Sequence, residues 1–404
     1  MDRASRRVFN AHFTPELYES HRASLESRLN CRFAFRLAES PVFLPPDLRE
    51  QLVIAANAIV DQISVPSCIE KMKKAIPPEW DTPGMDALPS FAQVDFAIVR
   101  DANGQLAPRL IELQGFPSLS ALQTLHRDAW TEALHAIPEL DRDWSCWFPP
   151  FDRESYLALA RKTICGNHDA QSVVLMDLDP PTQKTVPDFA ATKMLFGVDA
   201  VDPSALTRHG RTLFRTLPNG REVEVRRIYH RVVFDELARK KRALPFDYRE
   251  ELDLEWAPHP NWYWVWSKYS LPLLDHPTVP KARFVSDLRE IPPDLQESYV
   301  LKPLFSFAGG GVNVEPTRED VARIPDEEAH RWCLQEKIEY APALEAADGG
   351  GVKVEVRMMF FRPDGETRMI LAQNLCRLSR GRMLGVDFNK EFTWVGSSIA
   401  LWPA

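Results

Sequence analysis

The chain runs to 404 residues, with 49 Lys and Arg against 57 Asp and Glu for a formal charge of −8. No overall positive field draws it to a nucleic-acid backbone or an anionic membrane, so any phosphate must be gripped locally. An apolar fraction of 45%, 26% charged residues and 11 Trp exclude a disordered or fibrous chain and predict two or three folded domains.

The six cysteines, Cys31, Cys68, Cys146, Cys165, Cys333 and Cys376, are scattered and form no CxxC pair. The start MDRASRRVFNAHF carries Arg3, Arg6 and Arg7 but no apolar signal core, and no run of ~18 apolar residues follows. A soluble, cytoplasmic protein with reduced thiols is expected.

Residues 1–90 read as a helical cap. FTPELYESHRASLESRLN and PPDLREQLVIAANAIVDQIS have helical spacing broken by prolines, with Pro46 and Asp47 near a helix start. Residues 91–150 open with QVDFAIVRDANGQLAPRLIEL, two strands over 93–114 joined at Asn103 and Gly104, a strong hairpin signal. A helix is predicted in SLSALQTLHRDAWTEAL. After the break SCWFPPFD, residues 151–260 read as an α/β substrate segment holding the apolar strand SVVLMDL. A second break at EWAPHPNWYWVW precedes residues 261–404, where strand patterns YVLKPL, WCLQEKIEY and VKVEVRMMFF alternate with turns. The predicted fold class is α+β or α/β, without internal repeats.

Chemistry concentrates on a few of these strands. In YVLKPLFSFAGGGVNV, Lys302 sits on an apolar strand before a small-residue loop from Ser306 to Gly311. Gly309, Gly310 and Gly311 let backbone amides approach phosphate oxygens while the lysine supplies a point charge. No Gly-Lys-Ser/Thr closes the loop, so it is not a Walker loop. A hairpin loop beside a surface lysine is the ordinary alternative.

Further on, Gln335, Glu336, Lys337, Ile338 and Glu339 end an apolar strand. Backbone groups there suit a nucleotide base and Glu339 suits ribose hydroxyls; the alternative is a solvated charged edge strand. Period-2 alternation in VKVEVRMMFF puts Lys353, Glu355 and Arg357 on one face. Arg357 would there steady charge during phosphoryl transfer, or make a cross-strand ion pair.

On the hairpin, Glu112 and Gln114 share a face and Asp95 lies on the neighbouring strand. These hard oxygen donors suit Mg2+, or else pair with Arg100 and Arg109. His230 among Arg226, Arg227 and Arg231, the run Trp262, Tyr263, Trp264 and Trp266, and the apolar-flanked Cys333 and Cys376 are expected to be structural.

Taken together, a lysine in SKYSLPLL, the lysine and glycine loop in VLKPLFSFAGGGV, a hinge in QEKIE, an arginine in EVRMM and the later NLCRLSRG resemble the ATP-grasp superfamily. The acidic strand pair that normally follows these elements stands here near the beginning, in QVDFAIVRDANGQLAPRLIELQGFPSL. That order is similar to the circularly permuted branch that includes glutathionylspermidine synthetase and uncharacterised relatives. The likeness covers residues 91–404 and leaves 1–90 unmatched.

The resemblance implies ATP and Mg2+ as cofactors. It puts Lys268, Lys302 and the loop residues Ser306, Gly309, Gly310 and Gly311 at the phosphates, and Gln335, Glu336, Lys337, Ile338 and Glu339 around the adenosine. It puts Asp95, Glu112 and Gln114 on Mg2+, and Arg357, Arg377 and Asn389 at the transferring phosphoryl and acyl phosphate. Two positions depart from the family: Gln114 replaces an asparagine, and Gln93 stands where many members carry an arginine. The implied activity is a ligase joining a small-molecule or peptide-like carboxylate to an amine, with neither nucleic acid nor membrane as partner. A small-molecule kinase and a nucleotide-binding regulator or scaffold without turnover stay open as alternatives.

Overall fold

The computed structural model describes residues 1–305, 311–381, 389 and 391–404. The amino-terminal part is helical, as its pattern predicts. The Asp2 carboxylate caps α1 (Arg3–His12) by accepting from the Ser5 amide at 2.9 Å, and Thr14 caps α2 (Pro15–Leu29), with Pro15 at its first position. α2 stops at Asn30, whose left-handed φ of 47° is one that asparagine tolerates. α3 (Pro46–Ile63) buries Leu48, Leu52, Ala55, Ile59 and Ile63, a spacing that makes one apolar stripe, and α4 (Pro66–Met72) follows. No single helix among the described residues is long and apolar enough to cross a membrane.

The hairpin forms from β1 (Phe91–Arg100) and β2 (Leu106–Gln114), but not through a two-residue Asn-Gly turn. Across residues 101–105 the Asp101 carboxylate accepts from the amides of Asn103 at 2.9 Å and Gln105 at 2.8 Å. This local capture of backbone amides stabilises the longer loop, with Gly104 supplying the positive φ of 75°.

After α5 (Ser120–Leu134) and α6 (Arg153–Cys165) comes a parallel sheet. Its strands are β3 (Val173–Met176), β4 (Asp199–Val201), β5 (Arg227–His230) and β6 (Glu255–Ala257), ordered β6-β5-β3-β4, with α7 (Val186–Phe196) between β3 and β4 in the chain. All four residues of β3 are buried, as a continuous apolar run in a parallel sheet requires.

A third, antiparallel sheet holds β7 (Ala282–Phe284), β8 (Tyr299–Pro303) and β9 (Trp332–Glu336), with β9 in the middle. The strand carrying Gln335 is therefore paired on both sides and is not an edge.

The long strands β10 (Gly351–Phe361) and β11 (Ile370–Ser379), with β12 (Gly396–Ser398), complete the central antiparallel sheet in the order β12-β11-β10-β1-β2. Its register sorts the side chains. Val354, Val356 and Met358 share the apolar face with Val94, Phe96 and Leu110, in one core cluster with the α3 stripe. Each such buried side chain contributes about 1.5–3 kcal/mol, which pins the register, because a one-residue slip would turn all of them to the polar face. The opposite face then carries Glu355, Arg357, Asp95, Glu112 and Arg377. The described residues thus make a mixed α+β fold whose central sheet has one apolar and one ionic face.

Candidate functional site

Register sets Asp95 opposite both Glu112 on β2 and Arg357 on β10, while Glu355 stands opposite Arg377 on β11. Asp95, 1% exposed, accepts two parallel bonds from Arg357, Nε to Oδ1 and Nη2 to Oδ2, both 2.6 Å long. This bidentate fork is the strong form of the arginine–carboxylate bond. Arg377 donates from Nη2 to Asp95 Oδ2 at 2.5 Å and also pairs with Glu355 Oε1.

Two lysines reach the same cluster from other elements. Gly115 ends β2, and a Cβ there would lie 2.7 Å from the Trp262 carbonyl oxygen. Glycine therefore lets the Trp262–Trp266 turn close on the strand, where the Gly115 amide donates to the Trp266 carbonyl at 2.7 Å. That closure sets the Lys268 ammonium 3.2 Å from Glu112 Oε2, while Gln114 Nε2 donates to Glu112 Oε1 at 2.8 Å. Lys302, on β8, is buried with its Nζ 3.4 Å from the Ile111 carbonyl oxygen.

The resulting field divides the acids. Burial alone would push the Glu112 carboxyl up, but Lys268, Arg377, Lys302 and Arg357 outweigh it and hold the group at about 2. Burial raises Glu355 by more than Arg377 lowers it, and the nearby Asp95 and Glu112 add to the rise, to about 7. Burial also pushes the Lys302 ammonium down, against the attraction of Glu112. The face therefore favours the ionised form of Glu112 and disfavours that of Glu355.

A cleft of about 550 Å3 opens beside this cluster, with Gln114, Arg357, Arg377 and Asn389 in its wall. A second, of about 540 Å3, lies between the hairpin tip and the segment after β9, lined by Val99, Arg109, Lys337, Ile338 and Glu339 among others. A pit of about 40 Å3 separates Glu112 and Gln114 from Phe305.

Of the residues singled out from sequence, Asp95, Glu112, Gln114, Lys268, Lys302, Arg357 and Arg377 meet here. Asn389 lines the first cleft, but its Oδ1 accepts from the Ser379 hydroxyl at 2.9 Å and from the amides of Arg380 at 3.2 Å and Gly381 at 2.9 Å, tying down the chain after β11. Gln335 is fully buried, with neither side-chain amide atom bonded among the described residues. Glu336 accepts from the Lys281 amide at 3.1 Å. Ser306, Gly309 and Gly310 lie outside the described residues; Gly311 takes a left-handed φ of 73°.

Other members were not singled out beforehand. Glu355 was visible only as one charge of an alternating strand, and Tyr340, whose hydroxyl donates to Glu355 Oε2 at 3.4 Å, carried no signal. Arg36 and Lys184, also in the wall of the larger cleft, come from segments without any motif. His230 proves structural, buried with Nε2 2.9 Å from the Tyr248 hydroxyl, and Arg231 is spent on Asp188 at 2.7 Å. Cys333 and Cys376 are buried thiols pushed up by burial. Among the described residues, no three His, Cys, Asp or Glu side chains are grouped to hold a metal.

No protein-family model and no curated protein matches the chain in sequence. The fold has a solved counterpart. It is similar to that of a glutathione synthetase-like effector, GSS30, from Globodera pallida, in its apo form. The two share 12% identity at a TM-score of 0.53, over 97% of this chain and 98% of that one. At such identity the likeness speaks for the fold alone. At 97% of the chain it extends into residues 1–90, for which the sequence offered no match.

Proposed function

We propose that this chain binds Mg-ATP and activates a substrate carboxylate as an acyl phosphate for capture by an amine, the chemistry of a carboxylate–amine ligase. The observation that carries the reading is the gathering of Lys268, Lys302, Arg357 and Arg377 around Glu112 on one sheet face. Cations fixed in a buried site are organised beforehand for the charge that develops on phosphoryl oxygens. The likeness to a glutathione synthetase-like protein agrees with this at the level of fold.

The donor set suits a single hard cation. Gln114 Oε1 is buried without a hydrogen-bond partner among the described residues, and its own amide nitrogen is bonded to the Glu112 carboxylate. An amide oxygen next to an ionised carboxylate is a natural Mg2+ pair, so Gln114 and Glu112 would hold the metal, which would supply charge neutralisation to phosphate. Asp95, beside this pair, is bonded to Arg357 and Arg377 instead. ATP supplies the phosphoryl group. Lys268 and Lys302 neutralise its oxygens, while Arg357 and Arg377 hold the substrate carboxylate and the transferring group together.

A nucleotide-binding protein without turnover is the second reading, favoured by the three bonds from two arginines that occupy Asp95. Calorimetry with Mg-ATP on the wild type, Lys302→Ala and Glu112→Ala tests both, each variant first checked for an intact melting transition. Loss of affinity in the lysine variant and loss of the Mg2+ dependence in the glutamate variant are expected. No nucleotide binding by the wild type at millimolar ATP would end both readings. Binding without ADP release across carboxylate and amine panels would leave the second.

A further inference from the structure

The cleft of about 540 Å3 lies toward the hairpin tip, away from Asp95 and Glu112, and four stretches remote in the chain make its described wall. α3 contributes Ile54, the hairpin Val99 and Arg109, the loop before β7 His276, and the segment after β9 Ile338 and Glu339. Its size falls within the range of about 300–1,000 Å3 that small-ligand sites occupy. The phosphoryl chemistry proposed above uses none of these six residues.

Bonds hold the joins of this wall. Arg109 Nη1 donates to the Pro277 carbonyl at 2.6 Å, the Leu110 amide to the Thr278 carbonyl at 2.8 Å, and the Asp275 amide to Gln62 Oε1 on α3 at 3.2 Å. The loop before β7 is thus tied to both hairpin and helix. The segment after β9 is fixed at both ends, since the Lys337 amide donates to the Ser298 carbonyl at 2.8 Å, beside β8, and the Ala341 amide to the Ile98 carbonyl of β1 at 2.9 Å. Ile338 and Glu339 therefore span from one sheet to the other at a set place in the wall.

Three kinds of surface meet in the cleft. Ile54 is 60% exposed, off the stripe that α3 buries, and Val99, Ala107, Pro108 and Ile338 join it as apolar wall. A single exposed isoleucine needs no explanation; one that completes the apolar side of a walled cleft does. The second surface is cationic. Arg109 gives one of its five N–H donors to Pro277, and beside it the Thr278 amide donates to His276 Nδ1 at 3.3 Å, so the neutral imidazole carries its proton on Nε2 as a further donor. The third is the exposed carboxylate of Glu339. Other charged groups in the wall hold the backbone: Asp101 accepts from the Asn103 and Gln105 amides, Arg100 donates to the Gly104 carbonyl, and Lys337 to the Gln296 carbonyl.

We propose that this second cleft binds a small zwitterion with an apolar body, an amino acid or the paired termini of a short peptide. Its carboxylate sits at Arg109 and the His276 Nε2–H, its ammonium at Glu339, and its apolar side chain against Ile54, Val99 and Ile338. The free amino acid and the peptide share this chemistry and differ in the distance between their two charges. The site does not rest on the ligase reading.

The test is calorimetry without nucleotide, using L-leucine, the acid lacking its amine (4-methylvalerate), the amine lacking its carboxylate (isoamylamine) and the dipeptide Leu-Leu. Wild type, Arg109→Gln, Glu339→Gln and Ile54→Ser are compared, with melting curves as the folding control. The better of the two zwitterions is expected to bind at least about tenfold more tightly than either singly charged analogue, the size of one added charge-assisted contact, and which of them it is tells amino acid from peptide. Arg109→Gln is expected to close the gap to the amine, Glu339→Gln the gap to the acid, and Ile54→Ser to weaken every probe alike. Equal affinity for all probes, no zwitterion binding at millimolar concentration, or gaps that survive both glutamine substitutions would overturn the proposal. So would mutually exclusive binding with Mg-ATP, which would make the cleft the nucleotide's own. Zwitterion binding in a protein that binds no Mg-ATP would sink the ligase reading and leave this site standing.

Discussion

His126→Gln should make the protein less sensitive to acid. His126 on α5 and His21 on α2 are both fully buried, their rings 5.2 Å apart, and none of their four ring nitrogens has a hydrogen-bond partner among the described residues. Trp130 stacks on His21 at 3.8 Å, and the nearest ion pair between the two helices, Arg28 with Glu132, lies toward the surface. Burial holds His126 down at about 3, and burial with the charge of His126 holds His21 well below its ordinary range.

The sign follows from where the proton goes. An unfolded histidine takes up a proton below pH ~6.5 that the native site refuses, so the stability tied to His126 is intact above that pH and is lost as pH falls toward its folded value. Between pH ~8 and pH ~5 the loss comes to ~2 kcal/mol for this one group. Wild-type stability does not fall by the simple sum over buried histidines, because Glu355 and Asp177, both raised to about 7, take up protons in the native state and push the other way. Comparing variant with wild type cancels those contributions. Urea unfolding of both proteins at the two pH values should show His126→Gln gaining ~2 kcal/mol on the wild type at the lower pH. Parallel pH profiles would refute the reasoning, since the imidazole would then be protonated as easily in the fold as out of it.

Two further outcomes follow from the site and its wall. Asp95→Asn takes away the carboxylate shared by Arg357 and Arg377 and should cost about 3 kcal/mol in urea unfolding, while strengthening metal-free ATP binding in calorimetry because two guanidiniums are released to phosphate. Weaker metal-free binding in a folded variant would contradict it. Gly396→Ala forces a Cβ toward the Arg36 carbonyl at a φ of 124° and should cost at least about 2 kcal/mol, read as a lowered melting temperature. An unchanged melting temperature would show that the segment carrying Arg36 is not pinned there.

Strand alternation alone was enough to line up Glu355 with Arg357 and Glu112 with Gln114, because a side-chain period of two is a local property of extended backbone. The helix start near Pro46 and Asp47, the hairpin and the buried character of Cys333 and Cys376 were likewise legible from neighbouring residues. The hairpin loop was misjudged as a tight Asn-Gly turn, since the Asp101 side chain competes for the amides that such a turn leaves to the backbone.

Pairing across the sheet is a different matter. That Arg357 bonds Asp95, some 260 positions away in the chain, depends on the register of β10 against β1, and that register is set by how Val354, Val356 and Met358 bury against Val94, Phe96 and the α3 stripe. The raised proton affinity of Glu355, the approach of Lys268 across Gly115, the unpaired histidines between α2 and α5 and the place of Arg36 in the cleft wall arise in the same way. Sequence by itself determined which residues carry charge and which face of a strand or helix they share. Only the tertiary structure decided which charges meet and how deeply they are buried, because electrostatic strength depends on distance and desolvation, and both are set by contacts remote in the chain.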